Sequence, residues 1–299
     1  MTASGYEIVG PDSGPVVAVL GGISSTKHVT SSWSDQTPGW WENVVGPERA
    51  IDTRRFRVLS IDYLSSDDGS GPVTTGDQAR ALSRALDRAG VTVLHAVVGA
   101  SYGGMVALAF AAQFPKRTRR VITISAAHES DPMATALRLL QRRVVELGSS
   151  AGREREGLAI ARGIAITSYV TGQHFAEGLD EDDCDDSRRV VDRIEAYLRT
   201  RGEEFALGWT SDRYRTLSLS LDLHRVRPED VTVPTTVIAV TSDRLVPVAQ
   251  SRELARRLGG PSQLIELDSS YGHDAFLGDS SRISCFVEDL LLLGTEVQS

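Results

Sequence analysis

The chain has 299 residues, 41% of them hydrophobic and 24% charged, which excludes collagen-like, disordered and small disulfide-stapled classes. At roughly 150 residues per domain it has room for two domains, or for one large α/β body carrying an insertion. The formal net charge of -8 lacks the basic field that a nucleic-acid binder or an anionic-membrane protein needs, so neither partner is expected. Cys184, inside the acidic run 180–186, and Cys285 read as structural thiols of a reducing compartment. The opening MTASGYEIVGPDSG has no basic-then-apolar leader pattern, and no apolar stretch approaches the roughly 18 residues of a membrane span. A cytoplasmic location is expected.

Short apolar runs rich in β-branched residues recur at Val16–Leu20, Arg57–Ile61, Ala96–Gly99, Val121–Ile124, Thr236–Val240 and Leu264–Leu267. Each has the length of a buried strand. Helical patterns lie between several of them, at Asp77–Arg88 and Met105–Gln113, and this alternation predicts an α/β fold with a mostly parallel sheet. Between about Ser130 and Arg227 the alternation stops. Met133, Leu137, Leu140, Val144 and Leu147 mark one face of a helix with Asp131 as N-cap and Pro132 at its first position, closing at Gly148. The expected architecture is therefore a core of residues 1–130 and 228–299 with a helical cap, 131–227, inserted between its halves. The acidic run is expected to be a solvated loop of that cap.

The strongest local signal is Gly99-Ala100-Ser101-Tyr102-Gly103-Gly104, which follows a strand pattern and opens a helical one. A G-x-S-x-G sequence in that setting is a nucleophile elbow: glycines permit a sharp turn that lifts the serine hydroxyl above the sheet. Such a serine needs a base, and the base an orienting carboxylate, in the chain order Ser, Asp or Glu, His. Asp243 ends the strand pattern TTVIAVTSD, and His273 follows the pattern QLIELDSS. His28, His95, His128, His174 and His224 lack that combination of order and post-strand position. The N–H groups of Tyr102, after the nucleophile, and of Ile23, in the loop Gly21-Gly22-Ile23-Ser24, are the expected oxyanion donors. No metal is expected: His128-Glu129 lacks a second histidine at ligand spacing. Dinucleotide and Walker glycine patterns are absent as well.

Beyond the elbow, the chain resembles the homoserine O-acyltransferases, a group within the α/β-hydrolase fold. The resemblance rests on GWWENVVGPERAIDT (39–53), GASYGGM (99–105), GLAIAR (157–162) and GHDAFL (272–277). It implies Ser101, Asp243 and His273 as catalytic triad, with Arg162 and Asp274 as the substrate-binding arginine and aspartate. It further implies acyl-CoA, acetyl or succinyl, as co-substrate with no permanently bound cofactor, an amino-acid alcohol as acceptor, and a homodimer. Homoserine is a zwitterion, so a guanidinium suits its carboxylate and a carboxylate its ammonium. The chain departs from the family pattern in two places: the usual H-A-L-T-G loop reads GGISS, and T-Y-R reads Ser168-Tyr169-Val170. Alternatives left open are serine or a specialised-metabolite alcohol as acceptor, ester or thioester hydrolysis by the same triad, and a catalytically inert binding module. Arg138, Arg142 and Arg143, with Arg153 and Arg155, are the expected contacts for the phosphates of CoA.

Overall fold

Four apolar runs carry no exposed side chain, the pattern of strands covered on both faces, and the computed structural model sets them side by side. The structure describes residues 5–65, 71–177 and 187–292. The first half of the core comprises β1 (Tyr6–Val9), β2 (Val16–Leu20), β3 (Val45–Gly46), β4 (Ile51–Asp52), β5 (Arg57–Ile61), α1 (Thr75–Arg88), β6 (Ala96–Ala100), α2 (Tyr102–Gln113) and β7 (Val121–Ile124). Five helices follow: α3 (Pro132–Ser150), α4 (Glu154–Tyr169), α5 (Gly172–Glu177), α6 (Ser187–Leu207) and α7 (Ser211–Asp222). The chain then returns through β8 (Thr235–Val240), α8 (Val248–Arg257), β9 (Ser262–Leu267), α9 (Ala275–Gly278) and α10 (Ser280–Leu292).

Among the described residues the main sheet has the order β1-β5-β2-β6-β7-β8-β9, with only β1 antiparallel to its neighbour. One face packs against α1, α2 and α8 through Leu82, Leu86, Phe110 and Leu254; the other packs against α10 through Ile283, Val287 and Leu291. Helix α2 is apolar nearly all round and buried over most of its length, as its place inside the first layer requires. From β2 the chain first moves to β5 on one side and then to β6 on the other. The ends of β2 and β6 thus flank the switch point where open α/β sheets form a crevice.

Two features escaped the sequence. β1 is half-buried at all four residues, so it offers no alternation to read, and β3 and β4 are only two residues long. The helix α3 starts as expected, with the Asp131 carboxylate accepting from the Met133 and Ala134 N–H groups. It runs past Gly148 to Ser150, because Gly148 serves a helix crossing rather than a stop: a Cβ there would lie 2.8 Å from the Gly157 Cα on α4. The apolar stripe is also displaced. α3 buries Ala134, Gln141 and Val145, while Met133, Leu140 and Leu147 are exposed. Cys285 is an exposed free thiol; Cys184 and the acidic run lie outside the described residues, apart from what the sequence itself says.

The chain enters and leaves the helical excursion along one seam, where Glu129 bridges Arg225 and the Val226 N–H donates to the His128 carbonyl. Buried His224 pins this seam to α1: Nε2 lies 3.1 Å from the Ala127 carbonyl oxygen and Nδ1 2.8 Å from the Thr75 hydroxyl. Burial holds its pKa down to about 4, against the pull of the Ala127 carbonyl. The unfolded chain takes up a proton near pH 6.5 that the folded imidazole refuses until about pH 4, so the stabilisation is complete above 6.5 and lost as pH falls toward 4. This linkage is worth on the order of 3 kcal/mol. Urea unfolding at neutral pH and at about pH 5 should show the loss, and His224→Gln should flatten it.

Candidate active site

Strand β6 ends at Ala100 and α2 begins at Tyr102, so one residue must turn the chain. Ser101 does this at φ 53°, ψ −121°, a conformation costing a residue with a Cβ on the order of 1–3 kcal/mol. Its N–H is fixed on the Ile124 carbonyl at 2.8 Å. The flanking glycines answer a spatial need: a Cβ at Gly99 would lie 2.3 Å from the Gly103 carbonyl oxygen, and one at Gly103 2.1 Å from that of Leu20. The result is a hydroxyl standing at the carboxyl edge of the sheet.

The structure brings Ser101 together with the two other residues that chain order nominated. Ser101 Oγ lies 2.8 Å from His273 Nε2, and His273 Nδ1 lies 2.7 Å from Asp243 Oδ2. The second Asp243 oxygen accepts from the N–H groups of Leu245 and Val246, at 2.8 and 3.0 Å. The carboxylate is thereby fixed in place, its side chain fully covered. His273 sits in the turn opened by Gly272 at φ 57°, where a Cβ would press on the Tyr169 carbonyl of α4. The turn is held from the other side as well, by the Trp41 indole N–H donating to the Phe276 carbonyl at 2.8 Å. This bond joins the GWW segment to the GHDAFL segment. Burial lowers the proton affinity of His273, but the charge and hydrogen bond of Asp243, with Asp274 beside them, outweigh it, and the net shift is upward. Such a chain can take a proton from the serine and return it to a leaving group.

Beside the hydroxyl, the Tyr102 and Ile23 N–H groups make no hydrogen bond among the described residues. The direction of the second is set by a residue that sequence reading did not single out. Ser25 donates to the Gly22 carbonyl from both its N–H (3.0 Å) and its hydroxyl (2.7 Å). In a planar trans peptide the C=O and the next N–H point opposite ways, so fixing the Gly22 carbonyl aims the Ile23 N–H away from Ser25. Tyr63 and the Gly103 N–H fix the Gly21 carbonyl in the same manner, at 2.7 and 2.9 Å. The Ser25 bonds close a local turn, whereas the Tyr63 and Gly103 contacts come from across the fold.

The cavity above Ser101 is lined from the sheet side by Gly22, Ile23, His273 and Asp274, and from the helices by Arg138, Arg162 and Tyr214. The Arg162 guanidinium lies against the rings of Tyr169 and Phe205, 5.3 and 5.2 Å from their centres, with no carboxylate within ion-pair reach among the described residues. Asp274 likewise has no ion pair there, and burial pushes its carboxyl above the ordinary range against the pull of His273 and Arg162. The expected phosphate patch is not assembled. Arg138 and Arg142 share the inner face of α3 with Ala134, Gln141 and Val145, and each lies 2.6 Å from an oxygen of buried Asp222. Arg143 and Arg153 pair on the surface with Glu146 and Glu156, and Arg155 borders a separate groove between α4 and α6. Among the described residues no group of three His, Cys, Asp or Glu is placed to hold a metal, and no helix is long and apolar enough to cross a membrane.

A parallel sheet carrying a serine elbow with a histidine and an aspartate on later loops defines the α/β-hydrolase class. The family model for the alpha/beta hydrolase fold matches residues 15–280, and the chain belongs to that family. The chain is 41% identical over 287 residues to homoserine O-succinyltransferase of Xanthomonas campestris, covering 96% of this chain and 78% of that protein. It is 34% identical over 317 residues to serine O-succinyltransferase of Litchfieldella anticariensis, covering 90% and 86%. The crystal structure of esterase E22 superposes with a TM-score of 0.82 at 22% identity, covering 96% of this chain and 93% of that one, a likeness of fold alone. Within the α/β-hydrolase fold, the chain belongs to the homoserine O-acyltransferase family and is an acyltransferase.

Two outcomes are expected at this site. The rate at limiting acyl donor should fall on the acid side with a midpoint above 6.5, since the base must be unprotonated and its pKa is raised; Asp243→Asn should move that midpoint down and cost about 10⁴-fold. Ser25→Ala should lower kcat about tenfold, less than the 10²–10³ lost with a whole oxyanion donor, while leaving thermal stability nearly unchanged.

Proposed function

We propose that the protein is an acyl-CoA-dependent O-acyltransferase that moves an acetyl or succinyl group to the hydroxyl of L-homoserine by a ping-pong route, as in methionine biosynthesis. His273, oriented by Asp243, takes the Ser101 proton as Oγ attacks the thioester carbonyl carbon. The Tyr102 and Ile23 amides hold the oxyanion; the carbon–sulfur bond breaks, and the thiolate leaves with the proton from His273. His273 then deprotonates the homoserine hydroxyl, which attacks the acyl-serine ester and restores Ser101. Water competes for that ester, so transfer depends on the helices of 131–227 acting as a cap that excludes it and on an acceptor held in line.

One observation carries this reading over hydrolysis: the cavity that holds Ser101 also holds an arginine and an aspartate with no ion-pair partner, the complement of a zwitterion. A simple ester supplies no charges to match them, and leaving such half-buried groups without partners carries a desolvation cost. Arg162 would hold the acceptor carboxylate and Asp274 its ammonium. The names of the relatives support acyl transfer to an amino-acid hydroxyl, and the serine-specific one makes L-serine the second acceptor to test.

Thiol release from acetyl-CoA and from succinyl-CoA, with and without L-homoserine or L-serine, tests this directly. Release that depends on homoserine and yields its O-acyl ester is expected, with Ser101→Ala lowering it on the order of 10⁶-fold. Release indifferent to both amino acids would establish a hydrolase instead. Arg162→Leu should raise the KM for homoserine about 100-fold and leave that for the acyl donor nearly unchanged.

A further inference from the structure

Between the end of β9 at Leu267 and the turn at Gly272 the chain has no regular structure, so the place of His273 is set by whatever holds this loop. From the core side the Ser242 hydroxyl, beside Asp243, donates to the Ser269 carbonyl at 2.5 Å. From the opposite side the next carbonyl, that of Ser270, accepts from Thr171, whose hydroxyl lies at 2.5 Å and whose N–H lies at 3.3 Å. Thr171 stands two residues past the end of α4, and its hydroxyl oxygen also accepts from the His174 N–H of α5 at 3.1 Å. The His174 ring in turn lies against Tyr271, with 4.3 Å between ring centres, and Tyr271 covers Gly278 so closely that a Cβ there would meet its ring at 2.0 Å. Gly272 completes the run: a Cβ on it would lie 2.5 Å from the Tyr169 carbonyl oxygen. Ser270, Tyr271 and Gly272 are each gripped by the segment 169–174.

This is more than the start of a short helix needs. A capping hydroxyl has only to accept; that of Thr171 also donates, and it donates into the loop of the base. The same helix α4 carries Arg162 and ends on Tyr169. The Tyr169 ring lies between the two functional groups, 5.3 Å from the Arg162 guanidinium and 6.0 Å from the centre of the His273 ring. One helix end therefore fixes both the loop of the base and the arginine of the cavity. The imidazole must meet Ser101 Oγ at 2.8 Å and Asp243 Oδ2 at 2.7 Å at the same time, which leaves its backbone little freedom. A displacement of about 1 Å at a reacting group can cost on the order of 10²-fold in rate.

We propose that Thr171 is a positioning residue for the catalytic base: by donating to the Ser270 carbonyl it fastens the His273 loop to the carboxyl end of α4. His174, packed on Tyr271, is the second jaw of the clamp. The alignment of His273 by this clamp stands on the triad geometry, whereas its consequence for acyl transfer rests on the reading proposed above. His273 serves both half-reactions, so loosening the clamp slows both. It also lets the base drift relative to Arg162, which disfavours a bound acceptor and leaves water, which needs no such alignment, less affected.

The test compares full-length wild type with Thr171→Val, Thr171→Ser and His174→Ala. Valine keeps the shape of threonine and removes its hydroxyl, while serine keeps the hydroxyl. Three quantities are read: the rate at which a fluorophosphonate labels Ser101, kcat and KM with acetyl-CoA and succinyl-CoA in the presence of L-homoserine, and the O-acyl product formed per thiol released. Thr171→Val should lower the labelling rate and kcat about tenfold, with the KM for the acyl donor within about twofold of wild type. Product per thiol should fall as well, and Thr171→Ser should restore all three. His174→Ala, which keeps the Thr171 hydroxyl, should slow labelling and kcat about threefold. Wild-type labelling and kcat in Thr171→Val would overturn the proposal, as would a serine variant no better than the valine one. If the valine variant does not fold, wild-type labelling and kcat in His174→Ala would overturn it instead. Labelling needs no acceptor, which separates the two readings. Slowed labelling in a protein whose thiol release ignores homoserine would keep the clamp and refute acyl transfer. Homoserine-dependent transfer with unaltered labelling in both variants would refute the clamp alone.

Discussion

The unfavourable backbone of Ser101 is the constraint on which the rest of the structure depends. A residue with a side chain at φ 53°, ψ −121° relaxes unless its surroundings forbid it. Here the restraint comes from a parallel strand ending at Ala100, an all-apolar helix beginning at Tyr102, and the Ile124 carbonyl that fixes the Ser101 N–H between them. Gly99 and Gly103 must be glycines because two backbones pass where a Cβ would sit. The result of the strain is a half-buried serine hydroxyl facing the cavity, with the first amides of a helix beside it, placed at the crevice where the strand order reverses.

Around that fixed point the protein spends its buried polar groups on orientation. Two backbone amides hold Asp243, Asp243 holds His273, and His273 meets Ser101. Ser25 and Tyr63 do for the peptide planes of the glycine loop what Asp243 does for the imidazole. Charge is then distributed unevenly over the cavity: a cation and an anion near the base, and a second cation on α3 that two arginines share with one aspartate. The same fold occurs in an esterase, so the fold leaves hydrolysis and transfer equally open. In the proposed reading, this charge pattern and the helices that cover it are what favour transfer.

The core strands were legible because burial on both faces leaves continuous apolar runs, and the reading placed β2, β5 and β7 at their observed bounds. Ser101, Asp243 and His273 could be nominated from motif and order, since both reflect the way a parallel sheet presents its loops. The helical excursion was harder. Its helix α3 shows an apolar stripe at Met133, Leu140 and Leu147 that faces outward, while the inner face mixes Ala134 and Val145 with Arg138, Gln141 and Arg142. A hydrophobicity pattern reads such a polar inner face as surface, which is why Arg138 and Arg142 were expected to contact phosphates in solvent. Tyr63 and Asp222 were invisible for a related reason: their partners lie on a distant loop or another helix, and only the folded chain brings them together.

The most direct test of the proposed mechanism is to look for the acyl group on the enzyme. Protein mixed with succinyl-CoA in the absence of acceptor, quenched in acid and digested, should yield the Ser101 peptide carrying a succinyl ester. Adding L-homoserine before the quench should discharge it to O-succinylhomoserine. Turnover with homoserine but no adduct on Ser101, or an adduct confined to another residue, would contradict the account.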